Sequence, residues 1–437
     1  MLDMSDGKKL LNLGQHYVAS CFDEEVLKNS SSGGMFSAFS KKIFELGGCV
    51  FGAAFNNENY KICHVKAENE NELKPLRKSK YVWSEWIQCI PDIKNLISEG
   101  IYILFTGTPC QCASIRKLFG DYDKLFVVDL FCHGTAEPKY FVEYLKTINA
   151  NITSIDFRGE SIENKVNYNF RIWNNDMVIV DDLYNRNIFL NLYTNSAIIR
   201  NNCFSCEYAS KRHSSDVTIG DYSFPAKGRM AGIKSAHPSI VAVNTDKGKK
   251  LLNMCLDVLD IRVLNNKEEI NHYYRAHSSI KGQWGYNKEI RNKFLADYNN
   301  NGFFKAAISS IYSREIYLID KLKKIIGKYK GIALYGNGYI GKRLYCLIKQ
   351  IYPKWNINYF LTSEKQNEEL ILNMPMLSIN DKRFIEIDRN YFKNVPVYQI
   401  DEAPDLKEQI IVISVSEGCI EEIEENLKKR EIKNYIR

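Results

Sequence analysis

The sequence predicts an α/β protein in which a mixed α/β domain is followed by a small Rossmann-like βαβ domain. Three observations carry that prediction. Short, continuous apolar runs, IYILFTG at 101–107 and KLFVVDLFCHG at 124–134, read as buried strands on either side of a helical segment. GIALYGNGYIGKRLYCLIKQ at 331–350 reads as a strand, a glycine-rich turn and a helix. A chain of 437 residues also exceeds one ordinary core, so two or three domains are expected. The divisions fall at 1–302 for the larger domain, 303–330 for a helical linker and 331–437 for the smaller domain.

Composition narrows the class. Apolar residues make up 45% and charged residues 25%, the balance of a soluble globular protein. The net charge of +7 comes from Lys and Arg scattered among acids, without the basic stripe and interleaved aromatics that nucleic-acid binding requires. The first thirty residues hold no apolar signal core, and no run approaches the roughly eighteen apolar residues of a membrane span. A cytoplasmic protein is expected, with no nucleic-acid partner and no membrane span.

SSSGGMFSAFSKKIFELGG at 30–48 places apolar Met35, Phe36, Phe39, Ile43 and Phe44 at helical spacing behind a Ser/Gly turn, with Gly47-Gly48 as a stop. Free N–H groups and a positive dipole end at such a turn suit a phosphate, and they equally suit an ordinary capped helix. In TGTPCQCASIRKLFG at 106–120, Thr108 suits an N-cap and Pro109 the first helical position, which puts Cys110 in the first turn. Strand, helix and strand then form a right-handed parallel unit with Cys110 and Cys132 at the C-terminal sheet edge. Neighbouring strands lie about 5 Å apart, and that edge is where open α/β sheets hold ligands.

Twelve cysteines are many for a chain expected in a reducing compartment. Cys49, Cys255, Cys346 and Cys419 read as small buried hydrophobes. The C-x-x-C of Cys203 and Cys206 is by itself half a zinc site, a redox pair or coincidence. With Cys110 and Cys132 it makes four thiols, the number that an iron–sulfur cube or a structural zinc takes. Spacing alone leaves convergence and coincidence equally open.

SSSGGMF, the Ser79–Tyr81 tripeptide SKY, GTPCQ at 107–111, VDLFCHG at 128–134, C-x-x-C followed by SDVTIGDY, and VNTDKG at 243–248 occur together and in order. In this combination the chain resembles the beta-subunit family of coenzyme F-420-reducing hydrogenases and dehydrogenases, over roughly residues 17–300. The resemblance implies a cytoplasmic oxidoreductase with FAD and a 4Fe-4S cluster, moving electrons between a one-electron carrier and a two-electron substrate. It implies Cys110, Cys132, Cys203 and Cys206 as cluster ligands and leaves Cys112, two residues along the same helix, on another face. Ser31, Ser32, Gly33 and Gly34 become candidates for the FAD pyrophosphate, with Ser79, Thr108 and Asp221 beside the cofactor. Lys80 is the candidate for the reduced flavin's negative charge and His133 for proton donation; a surface lysine and a structural histidine are the plain alternatives. Asp216 and Asp221 flank the VTIGDY strand, either as turn-forming acids or as groups that orient the C-x-x-C loop.

The chain departs from that pattern in three places. It lacks the N-terminal ferredoxin-like cysteine runs of many members, so an external donor, a ferredoxin or similar partner, is expected to supply electrons. It reads Phe157-Arg158-Gly159-Glu160 where members often show F-R-x-K, and Tyr222-Ser223-Phe224 where Trp-Gly often follows the G-D-[YF]. In the smaller domain Gly336, Gly338 and Gly341 form a G-x-G-x-x-G fingerprint in the right context. The acid expected after the second strand is replaced by Thr362 and Ser363, with Glu364 beyond. This domain resembles the Rossmann-like domains attached to enzymes of bacterial surface-glycan synthesis. That resemblance points to a nucleotide or nucleotide sugar as its ligand and to polysaccharide biosynthesis as the setting, with a small-molecule substrate and a homo-oligomer left open. The alternatives are a non-redox nucleotide-sugar-binding module with a structural zinc, and a reduced-flavin sugar isomerase or mutase.

Overall fold

The computed structural model describes residues 14–160, 168–184, 187–208, 213–222, 233, 237–276, 287–363, 395–415 and 417–437. Ser223, Phe224 and Glu364 lie outside the described residues. The chain divides into two compact units, Met1–Asp181 with Tyr193–Lys288, and Asp182–Leu192 with Glu289–Arg437. Both are built from strands and helices in alternation, as the α/β reading expects.

In the first unit the strands are β1 (His16–Cys21), β2 (Cys49–Asn56), β3 (Lys61–Ala67), β4 (Ile103–Gly107), β5 (Leu125–Leu130), β6 (Ser154–Glu160), β7 (Tyr168–Asn174), β8 (Met177–Leu183), β9 (Val217–Asp221), β10 (Ser239–Val243) and β11 (Leu259–Leu264). Eight form one sheet in the order β11-β1-β10-β9-β5-β4-β2-β3, while β6, β7 and β8 form a second, small sheet. The centre, β2-β4-β5-β9, is parallel and both flanks are antiparallel. The parallel strands are apolar on both sides because both faces are covered. Leu104, Phe126 and Val128 pack with the helix Met35–Glu45, and Phe105 and Val127 pack with Ile115 and Cys112 of the helix Pro109–Phe119.

The strand–helix–strand unit forms as its sequence dictates. β4 and β5 are parallel neighbours, with Phe105 opposite Val127. Pro109 starts the helix, and the Thr108 N–H donates to Gln111 Oε1 at 2.9 Å, closing a capping box. β5 ends at Leu130, so Cys132 stands just past the strand, at the sheet's C-terminal edge.

Asp216 braces this edge from below. It is fully buried, and its Oδ2 accepts from Arg116 Nη2 and from the Val127 N–H, both at 2.8 Å. Its Oδ1 accepts from Thr245 Oγ1 at 2.6 Å, the N-cap residue of the helix Asp246–Met254. A Cβ at Gly248 would lie 2.0 Å from the Asp216 carbonyl oxygen. The SDVTIGDY and VNTDKG motifs thus meet in one packing knot, and Asp216 serves the fold there.

In the second unit β12 (Gly331–Tyr335), β13 (Ile357–Thr362), β14 (Val397–Gln399), β15 (Gln409–Ile413) and β16 (Tyr435–Ile436) form a parallel sheet in the order β14-β13-β12-β15-β16. The helices Lys288–Ile311, broken at Gly302, and Ser313–Ile325 belong to this unit. Buried Glu315 pairs with Arg343 at 2.7 Å and fastens the second of these to the helix Tyr339–Ile351. Cys49, Cys255 and Cys346 are buried as expected, but Cys419 is exposed. It immediately precedes the helix Ile420–Lys429, whose buried stripe begins only at Ile423.

Candidate functional site

At the C-terminal edge of the parallel strands the first unit encloses a cavity of 360 Å³, within the range of roughly 300–1,000 Å³ usual for small-molecule sites. Of the expected cofactor and catalytic residues, Ser31, Ser32, Gly34, Ser79, Lys80, Thr108, His133 and Asp221 line it, as does Cys132. Gly33 stands behind the wall; a Cβ there would lie 2.2 Å from the Ala19 carbonyl oxygen, so close packing demands glycine.

The Ser/Gly turn enters the helix Met35–Glu45 through Gly34, whose φ of 80° suits glycine, and no side chain caps that helix. The two hydroxyls are engaged within the fold. Ser31 Oγ accepts from the Ser79 N–H at 2.9 Å, and Ser32 Oγ lies 2.9 Å from Ser239 Oγ. Four buried polar atoms on residues of the cavity wall have no hydrogen-bond partner among the described residues: Ser37 Oγ, in the first helical turn, His64 Nδ1, Arg77 Nε and Thr135 Oγ1. Burial pushes His64 down to about 4, and its Nε2 lies 2.8 Å from the Thr106 carbonyl oxygen. A neutral ring donating to that carbonyl leaves Nδ1 as an acceptor. The uncapped helix start and the orphaned polar atoms fit a polar ligand with a phosphate-bearing arm.

Lys80 reaches the carbonyl oxygens of Pro75 at 2.8 Å, Arg77 at 2.5 Å and Lys78 at 3.3 Å. Burial lowers it to about 7, against the raising effect of Asp156. Lys78 pairs with Asp156 at 2.6 Å, and Arg158 with Asp221. Tyr81 and Tyr193 stack with ring centres 4.8 Å apart, giving the cavity an aromatic wall. Tyr193 and His64 were not legible in the sequence, because each lies in a segment without a recognised motif, and Ser37, inside the 30–48 stretch, reads there as an ordinary polar helix residue.

Cys132 belongs at once to this cavity and to the group of four thiols. Burial pushes the Cys132 thiol up, the Gly134 N–H, 3.3 Å from Sγ, draws it down, and Cys203, Cys110 and Cys206 raise it further. Burial likewise raises Cys110, with Cys206 and Cys203 adding to it and Thr108 Oγ1, 3.2 Å from Sγ, opposing. Cys203 is raised by burial, with Cys206 adding to it. The four sulfurs therefore share one electrostatic neighbourhood. Among the described residues no three His, Cys, Asp or Glu side chains converge as a ready metal site, so the thiols are gathered without being drawn onto a common centre. As a donor set, four thiols fit an iron–sulfur cluster or a zinc ion. Cys112 takes the other face of its helix, fully buried with Phe105 and Val127, and burial holds its thiol well above the usual range.

Residues 102–268 match the family model that describes the C-terminal part of the beta subunit in coenzyme F420 hydrogenases and dehydrogenases. The family resemblance holds over that segment. It spans β4, the helix bearing Cys110 and Cys112, β5, Cys132, the C-x-x-C and both motifs that meet at Asp216. Among solved structures, a chain of the F420-reducing [NiFe] hydrogenase complex from Methanosarcina barkeri is similar at 18% identity, with a TM-score of 0.43, over 66% of this chain and 95% of that one. No curated protein matches. No helix among the described residues is long and apolar enough to cross a membrane.

Proposed function

We propose that the first unit is an oxidoreductase module with FAD in the cavity and a 4Fe-4S cluster on Cys110, Cys132, Cys203 and Cys206. The observation that carries this reading is the double membership of Cys132, which lines the cavity and stands in the field of the other three thiols. One residue thereby joins a site for a planar cofactor to a site for a one-electron centre. The family match over residues 102–268 supports the same reading. A flavin exchanges two electrons with a substrate and single electrons with a cluster.

The chain's own residues have separable tasks. The uncapped turn at Gly34 and Ser37 receives the phosphate arm, and the Tyr81–Tyr193 wall packs against the ring system. Lys80 offers an ammonium to negative charge in the cavity, and His133 is the proton donor at the thiol side. Electrons arrive from an external protein such as a ferredoxin, and the second substrate is a small molecule. A setting in the cytoplasm and in polysaccharide biosynthesis belongs to this proposal. Anaerobically purified Cys203→Ser should lose most of its iron and its broad visible absorbance while keeping its helical content. Full iron retained in that variant would remove Cys203 from the ligand set.

A further inference from the structure

The second unit has a feature that the redox reading leaves unused. Its sheet order, β14-β13-β12-β15-β16, reverses direction at the central strand β12, and the turn after β12 opens the helix Tyr339–Ile351. Such a switch point is where parallel sheets leave a crevice for ligands.

The three glycines of the turn divide into two kinds. Gly336 has φ of 110° and lies against Ser414, whose carbonyl oxygen would be 2.9 Å from a Cβ there. A Cβ at Gly341 would meet the Gly336 carbonyl oxygen at 1.9 Å. Both glycines serve the close packing of turn, helix and sheet. Gly338 is different: its φ of −75° is open to any residue, and a Cβ there would meet nothing within 4 Å. It borders open space at a helix N-terminus that no side chain caps.

Lys342 supplies the second observation. It sits in the first helical turn, only 4% exposed, and among the described residues burial is the one influence on its ammonium, with no hydrogen-bond or charge partner beside it. Its neighbour Arg343 is spent on Glu315 and on the Ile311 carbonyl; Lys342 is not matched in this way. Burial alone pulls Lys342 down to about 8, so it is a cation short of a counter-charge. A side chain in the first turn leans back toward the helix N-terminus, over the glycine turn.

We propose that the second unit binds the diphosphate of a nucleotide at the Gly336–Lys342 turn, with Lys342 as the counter-charge and Gly338 left bare for the close approach of the phosphates. The diphosphate is the recognised group, whether it comes from a dinucleotide or from a nucleoside-diphosphate sugar. At the end of β13 no acid is described to take a ribose diol: the strand ends on Thr362, and Ser363, which follows, has its Oγ 3.0 Å from Tyr335 Oη. The proposal is independent of the cofactors of the first unit.

The test is calorimetric titration of the full chain, wild type and two variants, with ADP, UDP and inorganic pyrophosphate. Binding of at least one probe by the wild type is expected, weakened about tenfold or more in Lys342→Met by loss of a charged hydrogen bond. Gly338→Ala should weaken the same probe at an unchanged melting temperature, since its methyl group would meet no described atom beyond its chain neighbours within 4 Å. It therefore decides the matter if Lys342→Met folds poorly. A preference for UDP over ADP would assign the nucleotide-sugar source, and the reverse the dinucleotide source. Absence of binding by the wild type at millimolar probe, or equal binding in Gly338→Ala and the wild type, would overturn the proposal.

Discussion

Cys110 and Cys112 are separated by one residue and meet opposite surroundings. Cys110 is half-buried beside Cys132, Cys203 and Cys206, whereas Cys112 is sealed beneath the sheet with Phe105 and Val127. Cys110→Ala should therefore lose iron, and Cys112→Ala should keep it at a cost of about 1 kcal/mol of stability. Metal analysis and chemical denaturation of the two variants check this. Lys80 carries a second prediction at this scale. Because burial leaves it at about 7, its ammonium is mostly neutral above that pH, and an anionic ligand in the cavity favours the charged form. FAD affinity should fall as pH rises from 6 to 9, and fluorescence titration of the flavin would show it. A flat profile would separate Lys80 from the ligand. The cluster candidates were legible as residue types, since Cys110 and Cys132 each follow an apolar strand. Their convergence with Cys203 and Cys206 was not, because the C-x-x-C lies far along the sequence from both strands, and only the fold joins the segments.

At the scale of elements, the βαβ unit from β4 to β5 was readable because each strand is a continuous apolar run and Thr108-Pro109 marks the helix start. The antiparallel flank β9-β10-β1-β11 was not, because its pairing brings residues 16–21 beside 239–264 and nothing local encodes that. The same flank gives Asp216 its work. Asp216→Ala would leave the buried Val127 N–H and the Thr245 hydroxyl without their acceptor, while Arg116 keeps Asp121 at 3.0 Å, and the loss should be about 2–4 kcal/mol, measured by urea denaturation. A loss under about 1 kcal/mol would mean that the knot of Arg116, Val127 and Thr245 does not hold β5 to its neighbours. Similarly, the glycine turn after β12 was legible as a fingerprint, but the buried ammonium of Lys342, one residue beyond it, was not. A lysine on a helix reads from sequence as a solvated residue.

At the scale of the whole molecule, two buried lysines bear on pH stability. The unfolded chain takes up protons on Lys80 and Lys342 near 10.5, while the folded chain resists until about 7 and about 8. Between those values the unfolded state binds more protons, so this contribution makes stability rise with pH from about 7 to 10.5, and it is constant below. In ligand-free protein, Lys342→Met should show a shallower rise than the wild type between pH 8 and 10, by urea denaturation. The proposed pairing of a flavin cavity and a four-thiol cluster, joined at Cys132 on one sheet edge, has a direct readout. It is tested most directly by the visible spectrum and the metal content of anaerobically purified protein. Flavin bands, a broad shoulder near about 400 nm and about four irons per chain are expected. Zinc or no metal, with no flavin, would contradict the pairing.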